Sequence, residues 1–345
     1  MTEDENWMNL ALREARRGIG KTSPNPPVGA VIVKNGILLG KGWHRKAGMP
    51  HAEREAMADA LRNHGMESLR GATAYVTLEP CSTYGRTPPC VAGLIDAGIT
   101  RVVYACEDPN PAHAGRADEV FRDSGISVSK GILSNLGEKI LQPFTKVQRC
   151  GLPWVIAKIA MSLDGRITRP QGESSWLSGE ASRADVQFLR AEVDAIITSG
   201  ETVRQDLPSL TIRNPDLIEG RLQPWRVVMT RNPVSLPSQA PLFVDEWRER
   251  TIVSHEDPET MLRGLVEHRG VLAVMIESGG KLLAEFLQRG LVDELVIYMA
   301  PMLTGGIPAI AALEDLQLSL EDPHWQTMDG DVKLRARVCQ HHSGK

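Results

Sequence analysis

Apolar residues recur at two alternating spacings along the first part of the chain. Residues 4–17 follow a helical period, with acidic residues first and arginines last, as the helix dipole prefers. The apolar runs 30–33 and 37–40 are joined through Asn35-Gly36, which is a strong signal for a β-hairpin. Helices are also predicted over 51–65 and 90–98, and strands over 72–78 and 100–105. This alternation is typical of an α/β fold.

The second part of the chain repeats the alternation of strands and helices. Its predicted helices cover residues 180–191, 258–269 and 280–289. Its predicted strands cover residues 154–160, 194–198, 225–229, 251–254, 271–276, 294–299 and 332–338. A change of pattern near 145–151 predicts two domains, 1–147 and 148–345, and a chain of 345 residues is long enough for two cores.

Composition narrows the possible partners. Hydrophobic residues make up 42% and charged residues 24% of the chain, as in ordinary globular proteins, and no apolar run has the length of a membrane span. A net charge of −4 disfavours a nucleic-acid partner. The acidic residues 1–5 do not resemble a secretory signal. The chain has only five cysteines, and this small, odd number argues against a disulfide framework. We therefore expect a cytoplasmic protein that acts on neither membranes nor nucleic acids.

Two short clusters about 30 residues apart carry the clearest chemistry. His51-Ala52-Glu53 supplies an imidazole and a carboxylate, and Cys81 and Cys90 each follow a proline. One imidazole and two thiolates are three of the four ligands of a tetrahedral zinc, and the fourth position is left for water. H-x-E followed by P-C-x-x-C is the signature of the zinc deaminases, although eight residues rather than two separate these cysteines.

The placement of these residues favours a catalytic zinc. His51 and Cys90 begin predicted helices, where backbone N–H groups and the dipole stabilise a thiolate. Zinc lowers the pKa of its bound water, and Glu53 is then placed to carry protons to the ring nitrogen and the departing ammonia. The alternatives are a structural zinc and Cys and His residues that are unrelated to one another; structural sites usually have four protein ligands, and the sequence offers three. His44 is open between a substrate contact and a scaffold residue.

Several longer motifs resemble the bifunctional deaminase/reductase family of riboflavin biosynthesis. In the first half these are PNPPVGAVIV (24–33), HAEREA (51–56), TLEPCSTYGRTPPC (77–90) and DPNP (108–111). In the second half they are KIAMSLDGRIT (158–168), GESSWLSG (172–179), GETVRQDLPSLTIR (200–213), ESGGKLLAEFL (277–287) and LVDELVIYMAP (291–301). The resemblance covers nearly the whole chain. It implies a cytidine-deaminase-like three-layer domain followed by a dihydrofolate-reductase-like domain.

The resemblance implies roles for residues of the first domain. It makes His51, Cys81 and Cys90 the zinc ligands, Glu53 the proton donor, and Asn25, His44 and Arg86 contacts for the pyrimidine or its ribose phosphate. The long loop between the cysteines then brings Arg86 to a phosphate. Thr83 departs from the family, which often has a histidine after Cys-Ser, so the manner of phosphate binding is open here.

In the second domain the resemblance implies an NADPH site. No Gly-x-Gly-x-x-Gly follows the first strand, but the pair Gly279-Gly280 lies between a predicted strand and a predicted helix, where backbone amides approach phosphate. The residues implied to contact the cofactor are Ala160, Trp176, Thr202, Asp206, Gly279, Gly280, Lys281, Leu282, Leu283, Ala284 and Glu285. Those implied to contact the substrate are Ser174, Leu210, Arg213 and Glu277. For Lys158 and Asp164, a structural role at a strand end or in a turn explains the residue as well as a functional role does. The sequence does not decide whether Asp206 is an acid or a positioning group.

Three functions from different classes remain to be compared. The first is the bifunctional enzyme, which deaminates a small phosphorylated pyrimidine and then reduces its ribosyl group to ribityl with NADPH. The second is a tRNA-editing type of deaminase, which predicts a two-residue cysteine spacing and a basic surface that the sequence lacks. The third makes the second half a non-catalytic oligomerisation module. The polar residues at the strand ends of the second half favour the first function, because a mere interface would not need them. We also expect a homo-oligomer formed through the reductase domain.

Overall fold

The chain forms two compact units in a computed structural model that describes residues 1–83, 88–111, 113–168, 177–311 and 317–339. The first unit is Met1–Gly151 and the second is Leu152–Lys345. The expected boundary at 147/148 falls in the last turn of helix α5 (Ser134–Cys150), which ends at Gly151 in the left-handed conformation. The linking residues therefore lie just beyond that helix.

The first unit is a five-stranded sheet with the strand order β2-β1-β3-β4-β5. β1 pairs antiparallel with β2 and β3, whereas β3, β4 and β5 are parallel. The strands are β1 (Gly29–Lys34), β2 (Ile37–Trp43), β3 (Thr73–Leu78), β4 (Arg101–Cys106) and β5 (Ser127–Lys130). The helices are α1 (Glu3–Arg16), α2 (Ala52–His64), α3 (Cys90–Asp96), α4 (Arg116–Asp123) and α5.

Alternate residues of each strand face two separate cores, because successive side chains point to opposite faces of a sheet. Ala30 and Ile32 pack with α2, α3 and α4 on one face. Val31 and Val33 pack with α1 and α5 on the other. This gives the three-layer arrangement that the family resemblance implies for the first domain.

Close glycine contacts fix the position of α2, the helix that follows His51. A Cβ atom on Gly40 would lie 2.4 Å from Ala56 O, and one on Gly42 would lie 2.5 Å from Ala56 N. Only glycine allows the helix backbone to approach the strand this closely. The sequence therefore holds the N-terminus of α2 at a fixed distance from the sheet.

The second unit is an eight-stranded sheet with the order β12-β13-β11-β6-β10-β7-β8-β9. The strands from β11 to β9 are parallel, and the hairpin of β12 and β13 is antiparallel at one edge. The strands are β6 (Trp154–Ser162), β7 (Ala195–Ser199), β8 (Trp225–Met229), β9 (Thr251–Ser254), β10 (Ala273–Glu277), β11 (Glu294–Ala300), β12 (Ser319–Met328) and β13 (Asp331–Cys339). The helices are α6 (Glu180–Glu192), α7 (Gly200–Asp206), α8 (Pro215–Ile218), α9 (Pro241–Val244), α10 (Pro258–Arg269) and α11 (Gly280–Gln288).

Helices cover both faces of this sheet. α10 and α11 pack on one face through Leu262, Leu265 and Phe286, and α6 packs on the other through Val186 and Leu189. Such burial on both faces is expected for parallel strands. Because the strands are parallel, the carboxyl ends of β6, β7, β8 and β10 lie along one edge of the sheet.

Sequence patterns do not predict several elements that the structure contains. α5 includes Pro143 and follows Leu133, whose φ of 56° is left-handed, so a helix is not obvious from local signals. β12 is exposed along nine of its ten positions and shows no apolar alternation. No helix in the described ranges is long and apolar enough to cross a membrane.

Candidate metal centre and reductase site

His51, Cys81 and Cys90 converge at one point of the first unit. Their possible ligand atoms all lie within 4.8 Å of one another. The Nδ1 atom of His51 is 3.6 Å from Cys81 Sγ and 3.4 Å from Cys90 Sγ. In a tetrahedral zinc site, bonds of about 2.3 Å to sulfur and about 2.05 Å to nitrogen separate those atoms by about 3.6 Å. The separations of His51 Nδ1 from both cysteine sulfurs therefore fit a zinc ion.

The local fold explains why the three ligands meet. His51 is the N-cap residue of α2, Cys90 is the first residue of α3, and Cys81 lies in the turn after β3. The backbone N–H of Cys90 donates to Cys81 Sγ over 3.3 Å. Arg54 Nη2 donates to the carbonyl oxygens of Pro88 and Pro89 and so ties α2 to the segment before α3.

The environment favours a thiolate and a proton-holding carboxylate. Hydrogen bonds from Cys90 and His51 lower the pKa of Cys81, although burial opposes this. Burial raises the pKa of Glu53, and the neighbouring Cys81 charge raises it further. Glu53 is 3% exposed, on the first turn of α2. A buried carboxyl with raised proton affinity suits a group that accepts and returns protons.

Asn25 and His44 lie together beside the metal ligands. His44 Nε2 is 3.0 Å from Asn25 Nδ2, and His44 Nδ1 is 3.0 Å from the carbonyl oxygen of Pro50. This pattern assigns the proton to Nδ1, which donates to Pro50, while Nε2 accepts from Asn25. Burial lowers the pKa of His44, so its ring is neutral. The His44 and His51 ring centroids are 5.3 Å apart, edge to face.

The loop between the cysteines is described only at its ends. Arg86, the expected phosphate contact, lies outside the described residues. Thr83 is described, and its Oγ1 atom is 3.5 Å from Nδ1 of His113, in the segment after β4. An imidazole therefore lies next to position 83 although the residue at that position is threonine.

In the second unit, Glu277 lies at the end of β10 in a buried ion cluster. It accepts from Arg190 Nε at 2.8 Å and Nη2 at 3.2 Å, and from Lys158 Nζ at 3.5 Å. Burial opposes its ionisation, but the charges of Arg190 and Lys158 outweigh burial and lower its pKa to about 2. Glu277 is therefore an ionised carboxylate held by two cations. The sequence did not single out Arg190, because its partner is 87 positions away.

Arg190 also holds the loop that carries two expected substrate contacts. Its Nη1 donates to the carbonyl oxygen of Thr211 over 2.7 Å. Leu210, with a φ of 52°, is buried in that loop, and Arg213 is exposed. Arg190 therefore links Glu277 to the loop that contains Leu210 and Arg213. Ser174 and Trp176 lie outside the described residues.

A cavity of about 620 Å³ lies at the carboxyl ends of β7, β8 and β9. Its lining includes the start of α7 and, from α11, Lys281, Leu282 and Glu285. The volume is within the range of small-molecule and cofactor sites. Four cationic residues contribute to the lining: Arg204, Arg231, Lys281 and Arg289. Four acidic residues line it as well: Glu201, Glu256, Asp257 and Glu285. Glu201 pairs with Arg204, and Asp257 and Glu285 pair with Arg289, so the formal charges of the lining cancel.

The junction between β10 and α11 has features that suit a phosphate. The hydroxyl of Ser278 is buried without a hydrogen-bond partner in the described part of the chain. Gly279 is the N-cap residue of α11. A Cβ atom on Gly280 would lie 2.8 Å from Ala311 N and 2.9 Å from Pro308 O, so close backbone packing requires this glycine.

The remaining expected cofactor contacts are spread over three elements. Thr202 and Asp206 lie on α7, where the N–H of Thr202 donates to Ser199 Oγ, and Ala160 lies on β6. Leu283 is 1% exposed and packs in the core, and Ala284 is 5% exposed. Their side chains are therefore remote from solvent, unlike Lys281 on the same helix.

The carboxylate of Asp164 takes part in hydrogen bonds that hold two loops together. Its carboxylate accepts from Ser162 Oγ and from the backbone N–H groups of Thr304 and Gly305. These bonds tie the turn after β6 to the loop after β11.

Sequence families match both halves of the chain. The family described as the cytidine and deoxycytidylate deaminase zinc-binding region matches residues 1–106. The family described as the RibD C-terminal domain matches residues 153–334. The zinc-binding match contains all three ligand candidates, and the C-terminal match contains the Glu277 cluster.

Several relatives match this chain over nearly its full length. The riboflavin biosynthesis protein RibD of Haemophilus influenzae is 39% identical over 96% of this chain and 97% of its own length. The Escherichia coli protein of the same name is 42% identical over 91% and 93%. The structure of Acinetobacter baumannii RibD matches with a TM-score of 0.88 and 40% identity, covering 98% of this chain and 99% of that one.

A Thermotoga maritima structure extends the comparison to function. It is described as a diaminohydroxyphosphoribosylaminopyrimidine deaminase/5-amino-6-(5-phosphoribosylamino)uracil reductase, and it matches with a TM-score of 0.87 and 31% identity over 98% of this chain. These matches confirm the predicted order of a cytidine-deaminase-like domain followed by a reductase domain. The chain therefore belongs to the RibD family of bifunctional deaminase/reductases of riboflavin biosynthesis.

Proposed function

We propose that the first unit deaminates 2,5-diamino-6-ribosylamino-4(3H)-pyrimidinone 5′-phosphate and that the second reduces the product with NADPH. The final product is 5-amino-6-ribitylaminouracil 5′-phosphate. The observation that carries this proposal is the approach of His51 Nδ1 to both cysteine sulfurs, with Glu53 buried on the same helix. The Thermotoga maritima relative, described as acting in both steps, supports the choice of substrate.

For deamination, His51, Cys81 and Cys90 would hold the zinc, which when bound would supply an acidified water as a nucleophile near neutral pH. Glu53 would take up one proton from the attacking water and deliver it to the pyrimidine ring nitrogen as the water oxygen bonds the amine-bearing carbon. It would then pass a second proton, from the hydroxyl added to that carbon, to the amino group, and the carbon–nitrogen bond would break to release ammonia. Its burial supports this cycle because a raised pKa lets the carboxyl hold the proton between the two transfers.

Two neutral polar groups orient the pyrimidine in this proposal. The Asn25 amide and the His44 ring hydrogen-bond to each other beside the ligands and present no net charge to the ring. Arg86, from the loop between the cysteines, binds the ribose phosphate, because a guanidinium matches phosphate oxygens in geometry and charge.

For reduction, the cavity at the carboxyl ends of β7 to β9 holds NADPH, with Lys281 and the Ser278–Gly280 junction at its phosphates. NADPH supplies a hydride to C1′ of the ribose. The bond from C1′ to the ring oxygen breaks, and that oxygen takes up a proton to become a hydroxyl. Glu277, with a pKa of about 2, is ionised at neutral pH and binds amino or ring N–H groups as an acceptor. Arg213 binds the phosphate of this second substrate.

The direct test is to incubate the purified protein with the phosphoribosylaminopyrimidine and NADPH and to follow ammonia, NADPH oxidation and product mass. We expect ammonia release and then NADPH oxidation, with a ribityl product. Ammonia without any NADPH oxidation on the deaminated intermediate would refute the reductase assignment. No ammonia from zinc-loaded protein would refute the deaminase assignment.

We also propose that the protein is a homo-oligomer assembled through the reductase domain. β12 is an edge strand that pairs only with β13 among the described strands, and it exposes Trp325 (57%) and Leu320 (38%). A long exposed edge with apolar side chains readily pairs with another chain. Sedimentation velocity tests this: the wild type is expected to be larger than a monomer, and Trp325→Glu is expected to dissociate it. A monomeric wild type would refute the proposal.

A further inference from the structure

Glu79 makes an unusual set of hydrogen bonds just before the Pro80-Cys81 pair. Its side chain is buried, 5% exposed. Oε2 accepts from the backbone N–H groups of Asp108 at 3.2 Å and Gly115 at 3.0 Å, and Oε1 accepts from Ala117 N at 3.1 Å. All three donors belong to residues 108–117, called here the 108–117 segment, in which Ala112 lies outside the described residues.

Only a carboxylate satisfies these three donors. Both of its oxygens are acceptors, whereas the amide of glutamine would direct its NH₂ group at one of the backbone N–H groups. Loss of a hydrogen bond from a buried N–H group is costly because no water replaces it. Glu79 therefore fixes the position of the 108–117 segment relative to Cys81.

The 108–117 segment lies against the metal site. His113 Nδ1 is 3.5 Å from Oγ1 of Thr83, two residues after the ligand Cys81. Asp108 is close enough to interact electrostatically with both Cys81 and His113. His113 is half-buried, so its ring lies at the border between the segment and solvent.

We propose that Glu79 is a positioning residue for deamination, which holds the 108–117 segment against Cys81 and Thr83 so that His113 contacts the substrate. The proposal rests on the deaminase function proposed above. Glu79 acts through the segment and touches neither the zinc nor the reacting atoms. A displaced substrate-contacting loop weakens binding while the metal ligands and Glu53 stay in place.

The test compares Glu79→Gln with the matched variant Glu107→Gln. Glu107 is exposed and pairs with Lys130 at 2.6 Å, so its change removes the same charge nearby without touching the 108–117 segment. In zinc-loaded Glu79→Gln we expect the KM for ammonia release to rise about tenfold, with kcat nearly unchanged. Glu107→Gln is expected to match the wild type. Bound zinc and reduction of the deaminated intermediate on the same chain serve as internal controls.

His113→Ala supplies a second variant that leaves all three Glu79 hydrogen bonds in place. We expect it to raise the same KM. In the double variant, the fold-increase in KM should be smaller than the product of the two single fold-increases, because both changes act through one segment. A wild-type KM in zinc-loaded Glu79→Gln, or loss of zinc in step with activity, would overturn the proposal. If Glu79→Gln does not fold, a wild-type KM in His113→Ala overturns it. A wild type that releases no ammonia would instead refute the deaminase function itself.

Discussion

At the scale of single residues, two buried glutamates show how surroundings set a carboxylate's role. Burial raises the pKa of Glu53, and the neighbouring Cys81 charge raises it further. Burial also opposes ionisation of Glu277, but Arg190 and Lys158 outweigh it and lower that pKa to about 2. Glu53 is therefore suited to carrying protons, and Glu277 to binding donors as a permanent anion.

Glu53→Gln is expected to keep zinc and lose deamination. The amide preserves the size of the side chain but cannot take up the proton, so the rate of ammonia release should fall by a factor of about 100 or more. Metal content and ammonia release measure the two effects separately. Reduction of the deaminated intermediate by the same preparation is the control for folding. Loss of bound metal in the variant would mean that Glu53 is a ligand.

The Glu277 cluster predicts a pH dependence of stability. A carboxylate with a lowered folded-state pKa stabilises the fold above its unfolded-state pKa of about 4.5, and this contribution disappears as pH falls towards about 2. The free energy of unfolding of Glu277→Gln should therefore be lower than that of the wild type at pH 6. The difference should shrink between pH 4.5 and 2.

Urea unfolding at several pH values measures this difference. Glu249→Gln, a change at an exposed glutamate 88% accessible, is the matched control and should show no such convergence. A wild-type advantage that is constant from pH 6 to pH 2 would contradict the ion-pair account.

Residues predicted from the sequence and residues missed differ in the range of their contacts. His51, Glu53, Cys81 and Cys90 were identifiable because short motifs and helix starts define them. Arg190 was not, because a buried arginine on a helix is recognised only when the carboxylate it binds is known, and that partner lies far along the chain. Glu79 lies within the motif 77–90, but its three backbone donors belong to the 108–117 segment, for which the sequence pattern predicts neither helix nor strand.

At the scale of secondary-structure elements, glycines let two helices pack closely against neighbouring backbone. α2 lies against Gly40 and Gly42, and the first turn of α11 lies against the backbone of residues 308–311 at Gly280. Both helices start at a site: α2 carries Glu53 and α11 carries Lys281. Displacing either helix would therefore change chemistry as well as stability.

Gly280→Ala and Gly264→Ala form a matched pair that tests this at α11. The Cβ atom at 280 would meet backbone atoms at 2.8 to 3.1 Å, whereas at 264, on α10, it would meet only a His268 ring atom at 4.0 Å. We expect Gly280→Ala to lower the free energy of unfolding by about 1–3 kcal/mol and to weaken NADPH binding. Gly264→Ala should raise it by about 0.5–1 kcal/mol, since alanine favours helix.

Chemical denaturation and titration of NADPH by fluorescence measure both properties. Equal stability and equal NADPH affinity in the two variants would show that the contact at Gly280 neither strains the fold nor positions α11.

Apolar strands and amphipathic helices of the core were predictable, but elements defined by tertiary contacts were not. The predicted strands 154–160 and 225–229 coincide closely with β6 and β8. α7 follows directly from β7 with no loop, so the sequence pattern predicts the end of a strand and not a seven-residue helix there. β5 is short and partly exposed, and only its pairing with β4 makes it a strand.

At the scale of the whole molecule, the two compact units carry separate chemistry on one chain. The three ligand candidates and Glu53 lie in Met1–Gly151, and the Glu277 cluster and the cavity lie in Leu152–Lys345. Each unit has its own sheet and its own cores. Loss of one activity should therefore leave the other intact.

Removal of zinc tests this independence. Protein stripped of metal by a chelator is expected to release no ammonia, yet to oxidise NADPH when given the deaminated intermediate. The reason is that the described residues of the second unit contain no group of three His, Cys, Asp or Glu side chains placed to hold a metal. Readdition of zinc should restore ammonia release. Loss of NADPH oxidation on chelation, reversed by zinc, would contradict separate sites.

The order and stoichiometry of the two products test the central claim most directly. Zinc-loaded protein would be given the phosphoribosylaminopyrimidine and excess NADPH, and ammonia and NADP⁺ would be measured over time. The bifunctional account predicts that ammonia appears first and that the two products reach equal final amounts. NADPH oxidation that precedes ammonia release, or proceeds without it, would contradict that account.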